Sequence, residues 1–157
     1  MRVAALAETE RLAQRLVPYA APGDVIGLSG TLGSGKTAFA RAFIRARLGR
    51  PAEEVPSPTF TLVQLYKHPV SAIWHFDLYR LSAPEETYEL GIEDAFVGAI
   101  SLIEWPEKLG AMMPSDWLEV RLAPGEDEGA RCVTFAPHGP RGEILASALA
   151  RDLEREA

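Results

Sequence analysis

Apolar residues recur along this chain with two periods, about 3.6 and about 2 residues, and the switching between them lays out its elements. Leu6, Leu12, Leu16 and Val17 lie along one helical face, which predicts a first helix from Ala7 or Glu8 to about Tyr19. Asp24 to Ser29 is a compact apolar run behind the turn pair Pro22-Gly23 and reads as a buried strand. Helical spacing returns at Phe39, Ala42, Phe43 and Ala46, predicting a helix over 38–48 that Gly49 and Pro51 end. Two prolines between Glu53 and Thr59 forbid regular structure there. Phe60 to Tyr66 and Ala72 to Tyr79 read as strands of a hairpin turned at His68-Pro69. Short helical turns follow at 85–89 and 92–96, broken by Gly91. Ala99 to Trp105 is an apolar run fit for a central strand. Trp117 to Leu122 and Arg131 to Phe135 alternate as strands around the acidic loop Gly125 to Gly129. Gly142 to Arg155 reads as a closing helix with Ile144, Leu145, Leu149 and Leu153 on one side.

Between the first predicted strand and the helix after it stands Gly30-Thr31-Leu32-Gly33-Ser34-Gly35-Lys36-Thr37. This is glycine, four spacers, then Gly-Lys-Thr, the full phosphate-binding P-loop pattern. A polyphosphate carries several negative charges, and a loop holds it by aiming many N–H groups inward. Glycines permit that tight path, a lysine brings its ammonium to the phosphates, and a threonine hydroxyl ligands Mg²⁺. Strand, glycine loop, helix is the order the motif requires, and the helix N-terminus adds partial positive charge. With helices at both ends and strands between, the pattern predicts an α/β fold. More specifically it predicts a three-layer P-loop NTPase-like domain with a mixed, mainly parallel sheet flanked by helices, one domain over 1–157.

Composition narrows the function. Hydrophobic residues make up 47% and charged residues 24%, as in a soluble globular protein. No apolar stretch approaches a membrane span, so no membrane association is expected. Met1 to Arg15 lack the apolar core of a secretory signal, and the single cysteine, Cys132, allows no internal disulfide; a cytoplasmic location is expected. The formal charge of −6 argues against a broad nucleic-acid footprint, so DNA is not an expected partner. Arg41, Arg45, Arg47 and Arg50 form either a solvated face or a local basic patch. The chain has no asparagine, so the Asn-Lys-x-Asp loop that reads guanine cannot exist here, and ATP is the expected nucleotide. Amide depletion also fits a heat-adapted source or a GC-rich genome.

Hydrolysis needs a carboxylate near the Mg²⁺ and a group to position water. Asp77 and Glu104 each end an apolar strand, where a carboxylate is costly unless it meets a cation or donors. Each also admits a plainer reading, capping a turn or pairing with Arg80. The hydroxyls of Ser57-Pro58-Thr59 either reach the metal and phosphate or belong to a stiff connector. By spacing alone Trp105 reads as core and His75 as a structural histidine.

Four strings in order resemble one family: Leu32 to Thr37, then Ser57-Pro58-Thr59-Phe60-Thr61-Leu62-Val63, then His75-Phe76-Asp77-Leu78-Tyr79-Arg80-Leu81, then Ile103-Glu104-Trp105-Pro106-Glu107. They are similar to the bacterial TsaE (YjeE) family, small ATPases needed for N6-threonylcarbamoyladenosine on tRNA, and the likeness runs from about Glu8 to Leu153. The resemblance implies an Mg²⁺-dependent P-loop ATPase binding ATP and ADP. Gly33, Ser34, Gly35, Lys36, Thr37 and Ala38 would hold the nucleotide, with Thr9 near its base end. Thr37 and Glu104 would ligand Mg²⁺, and Lys36, Asp77 and Glu104 would be catalytic, with Trp105 functional. It also implies TsaB- and TsaD-like partner subunits, which modify adenosine 37 of tRNAs reading ANN codons, so that tRNA is met only through the complex. The chain departs from the family pattern at Thr31, Ser34 and Ala38, where Asp, Ala and Thr are usual. Two other functions suit the same fold: a small-molecule kinase, which would need an arginine-rich lid that is not visible, and a non-enzymatic nucleotide-dependent adaptor.

Overall fold

Val25, Ile26 and Leu28 bury apolar side chains on both faces of strand β2 (Val25–Gly30), which marks it as interior to a sheet. The computed structural model describes residues 2–3, 6–126 and 128–156, with side chains from residue 6 onward. Asp127, in the acidic loop expected from the sequence, lies outside the described residues, as do Met1, Ala4, Ala5 and Ala157. The remaining strands are β1 (Arg2–Val3), β3 (Val63–Tyr66), β4 (Ile73–Asp77), β5 (Ile100–Glu104), β6 (Trp117–Pro124) and β7 (Arg131–His138). They form one seven-stranded sheet in the order β1-β7-β6-β2-β5-β4-β3. The four central strands, β6, β2, β5 and β4, run parallel, and the pairings at both edges are antiparallel. The mixed sheet of the sequence reading is therefore parallel where it is buried and antiparallel where hairpins close it.

Side-chain alternation divides the core into two halves. Ile26, Leu28, Ile100, Leu102, Leu118 and Val120 pack against α1 (Leu6–Leu16), α2 (Lys36–Leu48) and α5 (Gly139–Glu156). Val25, Phe76 and Ile103 pack on the other face with Ile92 and Ala95 of α4 (Ile92–Gly98) and Leu109 of the 3-10 turn Pro106–Met112. A four-residue helix α3 (Glu86–Glu89) precedes α4. Sheet between two helical layers is the α/β architecture that the pattern predicts.

Four expectations shift. The strand expected from Phe60 begins only at Val63: Leu62 takes φ 68°, its N–H closes a turn onto Pro58 O at 2.7 Å, and Phe60 is left 83% exposed. Ile144 points to solvent, because Gly142, Leu145, Ala148 and Leu149 form the buried stripe of α5. Gly142 lies inside that helix, which starts at Gly139, and it packs so close to β6 that a Cβ there would meet Trp117 O at 2.3 Å. Ala46 is likewise exposed, with Phe39, Ala40, Ala42, Phe43 and Ile44 of α2 buried.

Candidate nucleotide site

Parallel strands present their carboxyl ends at the same edge, and ligands of such sheets bind there. β2 ends at Gly30, β5 at Glu104 and β4 at Asp77, and the register pairs Leu28 with Glu104 and Glu104 with Asp77. Two backbone bonds tie this edge together: Trp105 N–H to Leu28 O (3.2 Å) and Leu78 N–H to Glu104 O (3.1 Å).

The loop leaves β2 at Gly30, whose φ of 146° and contact with β6 admit no side chain; a Cβ would lie 2.2 Å from Leu122 O. Gly35, at φ 107°, precedes α2, and no side chain caps that helix. Its first-turn N–H groups lack intrahelical acceptors, which makes the N-terminus a ready anion site. Lys36 is 5% exposed and folds back over the loop, donating from Nζ to Gly30 O and Thr31 O, both at 2.7 Å. Its ammonium also sits 4.0 Å from the Trp105 ring centroid. Burial pushes the Lys36 pKa below its ordinary value, and the carboxylates of Glu104, Glu107 and Asp77 oppose that fall.

Glu104 is 2% exposed. Its Oε1 accepts from Thr37 Oγ1 at 2.9 Å, and its Oε2 lies 2.7 Å from His75 Nε2. Asp77 accepts from the Tyr79 N–H at 3.1 Å on Oδ1, and from Thr59 (3.2 Å) and Ser57 (3.4 Å) on Oδ2. All of these but His75 line a cavity of about 460 Å³, which also takes in Gly33, Ala38, Leu6, Leu32 and Arg131. A hydroxyl and a carboxylate oxygen in contact are hard donors. Mg²⁺ suits such a pair, since it takes few protein ligands and completes its shell with water and phosphate. Among the described residues, no larger His, Cys, Asp and Glu cluster competes for a metal.

The family model for Threonylcarbamoyl adenosine biosynthesis protein TsaE matches residues 3–133. The chain belongs to the TsaE family. A tRNA threonylcarbamoyladenosine biosynthesis protein TsaE of Rickettsia bellii is 42% identical over 125 residues, 80% of this chain and 86% of the relative. A Bacillus subtilis protein of the same name is 36% identical over 146 residues, 92% of this chain and 89% of the relative. The crystal structure of Bacillus subtilis YdiB matches at TM-score 0.80 and 30% identity, covering 97% of this chain and 93% of that one.

Of the TsaE residues expected at the site, Gly33, Gly35, Lys36, Thr37, Ala38, Asp77, Glu104 and Trp105 line the cavity together. Ser34 turns inward, 2% exposed, with its hydroxyl 3.5 Å from Lys36 Nζ. Thr9 does not line this cavity: it is fully buried, in phase with Leu12, Ala13 and Leu16, whereas Leu6 one turn earlier does line it. Trp105 is not core. It takes φ 62°, stands between Lys36 and the Tyr79 ring (centroids 5.0 Å apart) and forms a wall of the cavity. Ser57 and Thr59 reach the site through Asp77, and Arg80 lies over the Phe60 ring at 4.7 Å rather than on Asp77. Arg41 and Arg45 are neither fully solvated nor a free patch, since they hold the loop that follows α2 by donating to Val55 O and Glu53 O. Sequence reasoning missed Leu6 and Tyr79 as lining residues. Leu6 carried no local signal, because α1 brings it in from the start of the chain; Arg80 and Arg131, which the kinase reading could recruit, also line the cavity.

Proposed function

We propose that this chain is a cytoplasmic, Mg²⁺-dependent ATPase that acts with TsaB- and TsaD-like subunits in forming N6-threonylcarbamoyladenosine at adenosine 37 of tRNAs reading ANN codons. The observation that carries the reading is the 2.9 Å contact of Thr37 Oγ1 with Glu104 Oε1 beside the Lys36 loop, a pair of hard oxygen donors that supports an Mg²⁺-nucleotide site. Thr37 and Glu104 would hold Mg²⁺, which neutralises phosphate charge when bound. The amides at the start of α2 and the Lys36 ammonium bind the phosphates and pull negative charge toward the leaving group. Asp77, held by Ser57, Thr59 and the Tyr79 amide, is an acceptor fixed at the cavity wall and orients the attacking water. Leu32 (69% exposed) and Phe60 (83%) stand beside this mouth, apolar side chains suited to a partner subunit. The names of the relatives support the tRNA-modification role, and no helix among the described residues is long and apolar enough to cross a membrane.

Calorimetric titration with Mg-ATP and a phosphate-release assay test the reading. Lys36→Ala is expected to weaken binding and turnover together. Asp77→Ala is expected to keep binding while hydrolysis falls about 100-fold or more. Partner subunits should raise the phosphate-release rate and be recovered on the tagged chain in the presence of ATP. A wild-type chain that fails to bind Mg-ATP refutes the proposal.

A further inference from the structure

His75 is 0% exposed in the middle of β4. A buried imidazole is costly unless its N–H finds an acceptor. The acceptor here is not backbone but the Glu104 carboxylate, 2.7 Å away across two parallel strands. The other ring nitrogen, Nδ1, is buried with no hydrogen-bond partner. Alternation puts His75 and Asp77 on one face of β4, and Leu102 and Glu104 on the same face of β5. His75 is in register with Leu102, so it lies one pleat deeper than Glu104 and meets the carboxylate from beneath. Thr37 meets it from the cavity side, which leaves each oxygen of Glu104 with one side-chain donor. An ionised carboxylate offers only acceptors, so Nε2 is the donor of this pair.

We infer that His75 is a positioning residue for the metal-binding carboxylate: its Nε2–H fixes Oε2 and so holds Oε1 beside the Thr37 hydroxyl. The inference rests on the reading of Thr37 and Glu104 as the Mg²⁺ pair. Donors behind ligating groups orient them, and their loss costs metal affinity about 10–100-fold. A histidine that served only packing would change stability and leave metal binding alone.

The test follows binding of a fluorescent ADP analogue during Mg²⁺ titration, beside the same binding in EDTA. His75→Leu is expected to bind ADP in EDTA within about twofold of wild type, while its Mg²⁺ half-saturation rises about 10–100-fold. His75→Gln, whose amide nitrogen reaches the position of Nε2, is expected to recover to within about threefold. Should His75→Leu not fold, His75→Asn replaces it: its amide falls short of Oε2, and the same raised requirement is expected. Wild-type Mg²⁺ dependence in His75→Leu (or in His75→Asn where that replaces it), or an equal loss of ADP affinity with and without metal, overturns the inference and leaves the ATPase reading standing. Failure of the wild type to tighten on ADP with Mg²⁺ overturns both.

Discussion

Replacing Thr37 by valine keeps the side chain's shape and removes only the hydroxyl that donates to Glu104. The acceptor is 2% exposed and the contact is 2.9 Å long, so water cannot readily take the hydroxyl's place. A hydrogen bond to a charged group contributes about 1.5–3 kcal/mol, and Thr37 is itself only half-buried, so a loss of about 2 kcal/mol is expected. For a chain of 157 residues that is a fall in Tm of about 4–8 °C. Urea denaturation in EDTA without nucleotide isolates the contact from any metal. Thr37→Ser keeps the donor and should stay within about 1 kcal/mol of wild type. The decisive measurement is a double-mutant cycle with Glu104→Leu, which removes the acceptor at similar volume. A coupling of about 1 kcal/mol or more is expected. If the two single losses add up to the double within about 0.5 kcal/mol, the hydroxyl and the carboxylate do not interact, and the metal pair loses its structural basis. In the same protein, Mg²⁺ should tighten ADP binding to Thr37→Ser but not to Thr37→Val.

Gly30→Ala should cost about 3 kcal/mol or more, because a Cβ 2.2 Å from Leu122 O must push two paired backbones apart at φ 146°; a Tm within about 2 °C of wild type would refute the tight path at the loop's start. Burial pushes the Glu119 pKa up, but hydrogen bonds from Arg121, His138 and Ser29 outweigh it and hold the carboxyl below its ordinary value. The folded pKa is thus below the unfolded one, so this contribution is complete above about pH 5 and is lost as pH falls through the folded value. Urea stability measured from about pH 6 down to 3 should show a shallower acid limb in Glu119→Gln than in wild type. Arg141 bonds both oxygens of Asp24 (2.7 and 2.8 Å) and the Tyr19 carbonyl (2.9 Å), joining α5 to the start of β2. Arg141→Ala should therefore lose about 2 kcal/mol in the same assay, since Asp24, 4% exposed in the folded chain, would keep only the Ala21 amide as a partner among the described residues.

Elements that bury one face or both were legible in the sequence, because burial writes itself as periodicity. β5, buried at every position, read as a central strand from its apolar run, and it lies between β2 and β4. Helix phase was less legible. On α1 the sequence pattern counted Leu6 into the apolar face, but the buried stripe is Thr9, Leu12, Ala13 and Leu16. A polar threonine supplied the contact that hydropathy assigned to a leucine, and the leucine was free to line a cavity. The turn at Leu62 was hidden for a related reason: Phe60 is apolar and strand-like in type, yet 83% exposed because the left-handed Leu62 delays the start of the strand to Val63.

The site divides along the same line. The cradle was legible because one contiguous string builds it, and the two acids because a carboxylate ending an apolar strand demands a partner. What no local pattern carried was which partner each acid has. Glu104 meets Thr37 and His75, separated from it by 67 and 29 positions, and Asp77 meets Ser57 and Thr59 rather than Arg80. Those pairings follow from strand order: with β5 between β2 and β4, Glu104 must face the P-loop on one side and the histidine strand on the other. His75 read as a satisfied structural residue because a buried histidine usually is one. Its one partner here is the carboxylate proposed to hold Mg²⁺, so under that proposal stability and metal binding would depend on the same hydrogen bond.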